Sequence, residues 1–127
     1  GPKNMLIETD ERRKQDRFKI KGDAYIYSAS TFMFVGKVIN ISRSGIAFSC
    51  MQDDDAIPVK IDELGILLSN KGFMTENLPF QIVSDDTVPG SRVNNVVMRR
   101  GGGRFLSLTP EQKRELERFI AKYGKQN

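Results

Sequence analysis

FMFVGKVINISRSGIAFSC, residues 32–50, is the stretch whose reading decides the fold. Two runs rich in β-branched and aromatic residues are separated only by Arg43-Ser44-Gly45, which leaves room for a tight reversal and none for a helix. The spacing predicts a hairpin whose strands cover residues 32–42 and 45–50. Asn40 and Ser42 stand two apart in the first strand, so they project from one side and both can touch a planar ligand. The same residues also suit an ordinary turn, because Asn and Ser bond local backbone readily and Gly45 tolerates a positive φ.

Outward from this hairpin the chain keeps the same character. Phe18, Ile20, Ala24 and Ile26 share one parity, with Lys19 and Lys21 on the other face, which predicts a half-buried strand with a bulge at Gly22-Asp23. Further strands are expected at 64–69 and 78–84, with Asn70-Lys71-Gly72 as the turn between them, and residues 85–91, carrying Pro89-Gly90, read as a loop. Strands at 95–99 and 104–108 flank Gly101, Gly102 and Gly103, read as a tight hairpin. That glycine run lacks the lysine and hydroxyl of a triphosphate-binding loop and precedes no helix. Asp53-Asp54-Asp55 reads as a solvated acidic turn, since its spacing does not match the alternating ligands of a calcium loop.

The C-terminal helix is the clearest single element. Thr109 is a natural N-cap, Pro110 suits the first helical position, Gln112 completes a capping box and Gly124 offers a stop. Leu116, Phe119, Ile120 and Tyr123 follow helical spacing, so one stripe faces the core.

Composition narrows the chemistry. With 127 residues, 39% hydrophobic and 28% charged, the chain suits one domain around one modest core. The net charge is +4, and the excess is local: Arg12, Arg13, Lys14, Arg17, Lys19 and Lys21 cluster against Asp16 alone. Such a field attracts anions. Histidine is absent, which excludes Ser-His-Asp and Cys-His catalysis and histidine-held zinc. Cys50 is the only cysteine, so it forms no disulfide within the chain; it reads as a small packed hydrophobe in a reducing compartment. No catalytic residue and no metal site is expected. No run approaches the roughly 18–20 apolar residues of a membrane span, and the expected location is the cytoplasm. Gly1-Pro2 reads as a tag remnant.

Arg13-x-x-x-Arg17, set among basic residues, followed by Asn40-x-Ser42-x-x-Gly45 on a strand, resembles the PilZ domain, a bacterial receptor module for cyclic di-GMP. The resemblance runs from about Glu11 to the closing helix. It implies an all-β fold, a six- or seven-stranded antiparallel barrel with a C-terminal helix at 18–123, preceded by a flexible ligand-binding arm at 3–17. It implies that Arg13 and Arg17 hold guanine edges and phosphates, that Asn40 and Ser42 reach the guanine, and that Gly45 keeps the wall open. Two guanidinium forks suit that task, being planar, permanently charged and matched to phosphate or to the O6/N7 edge of guanine. The family carries Asp or Asn at the first triplet position. With Asn40, recognition of guanine N–H groups rests on the side-chain oxygen alone, and binding is expected to survive, if weakened.

Arg12 stands at a position that the family links to stoichiometry, which implies two mutually stacked cyclic di-GMP molecules per chain. The function expected is a sensor without a catalytic step, its arm docking over the barrel to signal to a downstream protein partner. Two other readings stand beside it: a PilZ-like interaction module that binds no nucleotide, and nonspecific nucleic-acid binding through the basic arm, with Tyr25 and Tyr27 as stacking candidates. Alternate tyrosines on a barrel strand are more often packing residues, and no specific nucleic acid is expected. Arg99 and Arg100 form a second basic spot, of a kind more often solvated surface than ligand contact, though one of them could extend the anion site.

Overall fold

The computed structural model describes residues 16–56 and 61–126. Its strands are β1 (Phe18–Ile20), β2 (Ala24–Ser28), β3 (Phe34–Ile41), β4 (Gly45–Asp53), β5 (Glu63–Leu68), β6 (Gly72–Thr87), β7 (Val96–Phe105) and β8 (Gly124–Gln126); the helix α1 (Pro110–Tyr123) lies between β7 and β8. Described strands pair in the order β2-β5-β6-β7-β4-β3-β1-β8, and a further β2–β3 pairing closes six of them into an antiparallel barrel. The expected barrel with a C-terminal helix is therefore the fold. Outside the closed ring, β1 and β8 form a short extension beside β3.

Alternation explains the wall. Val38, Ile41, Ile46 and Phe48 turn inward to join Ile26, Leu64, Ile66, Leu78 and Phe80 in one core cluster. The β3–β4 hairpin forms as its spacing predicts, setting Ile41 opposite Ile46 and Asn40 opposite Ala47. It runs past Cys50 to Asp53, because Met51, Gln52 and Asp53 pair with β7. Asp54 and Asp55 form the turn read from the sequence, and Arg92 bonds the Asp54 carboxylate.

Several sequence boundaries move, among them the start of β6, which lies at Gly72 rather than near residue 78. The single strand expected from Phe18 to Ile26 is two, because Gly22 takes a φ of +90° and lets the chain leave the β1 position for a different partner. The loop expected at 85–91 begins later, since β6 continues to Thr87 by pairing Asp85, Asp86 and Thr87 with β7. The glycine run is strand interior, with Gly101, Gly102 and Gly103 opposite Phe48, Ala47 and Ile46 on β4 and opposite Asp85, Ser84 and Ile82 on β6. The reason is packing: a Cβ on Gly101 would meet the Phe48 ring, and one on Gly103 the Phe80 ring and the Gln81 carbonyl.

Helix α1 covers the core with Leu116, Phe119 and Ile120. Its capping box is complete: Thr109 Oγ1 accepts from the Gln112 amide at 3.0 Å, and Gln112 Oε1 accepts from the Thr109 amide at 2.9 Å. The Gln112 side-chain amide also donates to the Asn77 carbonyl, which ties the helix start to β6. Gly124 ends the helix with its N–H on the Ile120 carbonyl, and the chain then turns into β8, an element without a signal in the sequence.

Candidate ligand-binding site

Asn40 lies near the end of β3, half-buried, just after an irregularity in register between Val38 and Asn40. Arg17 sits one residue before β1. Because β1 pairs antiparallel with β3, with Phe18 opposite Ile41, the Arg17 side chain falls on the wall beside Asn40. Its Nη1 donates to Asn40 Oδ1 at 2.9 Å, joining residues 23 apart in sequence. The two sequence clusters thus meet in space through their described members. Arg12 and Arg13 lie outside the described residues.

Ser42 has a different setting. It is fully buried, one residue past the end of β3, and its Oγ accepts from the amides of Ser44 at 3.1 Å and Gly45 at 3.2 Å. Its hydroxyl also lies 3.0 Å from that of Ser44. Ser42 therefore builds the turn that ends the strand, while Asn40 is the side chain of the pair that stays on the wall. Gly45 opens β4 where a Cβ would run into the backbone carbonyl of Gly103, so only glycine lets β4 and β7 approach here.

Beyond Asn40 the wall is low. Across the strands, Asn40 stands opposite Ala47, Ala47 opposite Gly102, and Gly102 opposite Ser84. These four form a row of small side chains on the outer face, alternating with the inward Ile41, Ile46 and Phe48. Arg100 and Arg104, two residues either side of Gly102, share its face of β7; both are exposed, and Arg104 Nε donates to Gln81 Oε1 at 3.0 Å. The arrangement is a flat floor with a carboxamide and a guanidinium at one end and guanidiniums on its flanks. It suits a planar, anionic ligand lying against backbone. Sequence reading missed Ala47, Gly102, Ser84 and Arg104. Once the glycines are placed in a strand, parity along β7 finds Gly102 and Arg104, and its pairing with β4 and β6 finds Ala47 and Ser84.

Arg99 does not belong to this floor. It lies on the opposite face of β7 from Gly102, its Nε donates to Asp85 Oδ1 at 2.9 Å and its Nη1 to Thr87 Oγ1 at 3.1 Å. The bond to Asp85 holds the guanidinium pKa above its usual value. Cys50, opposite Arg99, is half-buried; burial raises its thiol pKa, partly offset by the hydrogen bond from Gln52. Tyr25 and Tyr27 are engaged with neighbouring rings, Tyr25 with Phe34 at 5.9 Å and Tyr27 stacked on Phe32 at 6.0 Å. No described helix is long and apolar enough to cross a membrane.

The family model described as PilZ domain matches residues 11–122. The chain belongs to the PilZ domain family. Solved PilZ structures share its fold at low identity. The PilZ domain of YcgR from Escherichia coli, solved with c-di-GMP, is 15% identical with a TM-score of 0.61, covering 84% of this chain and 86% of that one. MrkH from K. pneumonia, as its c-di-GMP complex, is 11% identical with a TM-score of 0.58, over 84% of this chain and 49% of that one. PlzA from Borreliella burgdorferi, also with c-di-GMP, is 12% identical with a TM-score of 0.50, over 93% of this chain and 57% of that one. This PilZ chain spans about half the length of those two larger proteins. No curated protein sequence matches it.

Proposed function

We propose that this PilZ chain is a receptor for cyclic di-GMP that acts by binding alone, with no catalytic step. The observation that supports the reading is the Arg17–Asn40 hydrogen bond, which joins one described residue of the arginine cluster to one of the strand motif on the barrel wall. There a guanine can lie on the floor of Asn40, Ala47 and Gly102, with Asn40 Oδ1 accepting from its N–H groups and Arg17 on its edge or on a phosphate. Arg13 supplies the second fork. Arg12 bonds or stacks on a further guanine, so that two stacked ligand molecules occupy each chain. Docking of the arm that bears Arg12 and Arg13 is the signal passed to a protein partner.

Calorimetric titration with cyclic di-GMP tests this directly. The expected result is saturable binding with two ligands per chain. Each bidentate Arg–guanine contact contributes about 1–3 kcal/mol, so Arg13→Ala or Arg17→Ala is expected to weaken binding by roughly 5-fold to over 100-fold. Saturation at one ligand per chain would overturn the role of Arg12, and affinity unchanged in both arginine variants would overturn the site.

A further inference from the structure

The row that forms the floor continues on the other side of Asn40. The antiparallel register that sets Phe18 opposite Ile41 carries Lys19 level with Asn40, on the same outer face as Arg17. Across the next pairing, Lys19 stands directly opposite Lys125 of β8. Directly opposed residues of an antiparallel pair share a face with Cβ atoms about 4.5–5.5 Å apart, and like charges there repel. Both lysines are exposed, and neither has a carboxylate within ion-pair distance among the described residues. Lys37 on the wall is paired with Asp23 and Arg99 with Asp85, whereas Arg100 on the floor, like the two lysines, has no carboxylate partner among the described residues.

The backbone that carries the lysine pair is held in place. The Lys21 amide donates to the Tyr123 carbonyl at 2.7 Å, the Gly124 amide caps α1 on Ile120, and a Cβ on Gly124 would lie 3.1 Å from the Phe18 Cβ. Phe18, Ile20 and Tyr123 pack on the core beneath. The backbone thus sets the two lysines side by side at the end of the floor, next to a third cation in Arg17.

We infer that Lys19 and Lys125 are a phosphate clamp for the ligand on this floor, which makes the C-terminal strand β8 part of the binding site. The inference rests on the proposed function and adds to it the group of the ligand that β8 reads: a phosphodiester bridging the two ammonium groups removes their repulsion and gains from both. Recognition of this kind is by point charge, where Arg17 supplies the planar fork. It also links occupancy to the end of the chain, since a phosphate held between β1 and β8 tightens that pairing.

The test is a titration of cyclic di-GMP into wild type, Lys125→Glu, Lys19→Gln and Arg17→Ala, with the melting temperature of each unliganded protein measured in parallel. Lys125→Glu replaces repulsion by a cross-strand ion pair, so the unliganded protein is expected to melt at the same temperature or higher while affinity falls by about tenfold or more. Lys19→Gln is expected to weaken binding by about three- to tenfold, and the difference from wild type to shrink as salt is raised. Wild type and Lys125→Glu binding alike, with Arg17→Ala impaired, would overturn the clamp and leave the proposed receptor function standing. Absence of binding by wild type would overturn both.

Discussion

Ser42 commits its hydroxyl to two backbone amides of the β3–β4 turn, whereas Asn40, two residues earlier, holds its carboxamide on the outer wall with Arg17. Substitution separates these tasks. Ser42→Ala leaves the Ser44 and Gly45 amides without their side-chain acceptor, and the loss for a buried unsatisfied group is about 1–3 kcal/mol, to be read as a lower denaturation midpoint without ligand. Asn40→Ala removes an exposed-face contact and is expected to weaken cyclic di-GMP binding while leaving that midpoint within about 0.5 kcal/mol of wild type. A Ser42→Ala protein as stable as wild type would contradict the turn assignment. The sequence could show that both residues carry the right chemistry, because period-two spacing and residue type are local. It could not show which side chain is consumed by the fold, because that depends on the strand ending at Ile41 and on Ser42 turning inward.

At the scale of elements, the capped helix and the β3–β4 hairpin were legible because their signals are contained in a few adjacent residues: Thr109, Pro110 and Gln112 for one, the short break at Arg43 to Gly45 for the other. β7 was not, because three glycines carry no periodicity and are ordinarily turn residues. Here they are strand residues for a reason set by partners far away in sequence, the Phe48 and Phe80 rings that occupy the missing side-chain space. β8 was hidden for a related cause: Gly124-Lys125-Gln126 has no hydrophobic pattern and becomes a strand only by pairing with β1. The glycines are predicted to differ under substitution. Gly103→Ala drives a methyl into the Gln81 carbonyl and the Phe80 ring, an overpacking cost of about 1–3 kcal/mol, detectable in chemical denaturation. Gly102→Ala meets the Ser84 hydroxyl at 3.3 Å on the outer face, where a side chain can move aside; it is expected to fold like wild type and to bind ligand less well because it roughens the floor. Equal destabilisation by both would mean that the two faces of β7 are misassigned.

For the whole molecule, the closed ring removes free edges from six strands and leaves the β1–β8 extension as the place where the N-terminal cluster and the C-terminal end meet. Arg17, Lys19, Asn40 and Lys125 lie along this seam, so a ligand on the wall touches segments from both ends of the chain at once. PilZ membership follows from sequence over residues 11–122, and Arg17 and Asn40, one from each sequence cluster, meet at the seam. The most direct test is an NMR titration of the whole chain with cyclic di-GMP, run beside GTP and linear pGpG. The account predicts that cyclic di-GMP shifts the amides of residues 12–19, Asn40, Ala47 and Gly102 and of β8, with smaller effects from the other two nucleotides. A spectrum unchanged by excess cyclic di-GMP would contradict it.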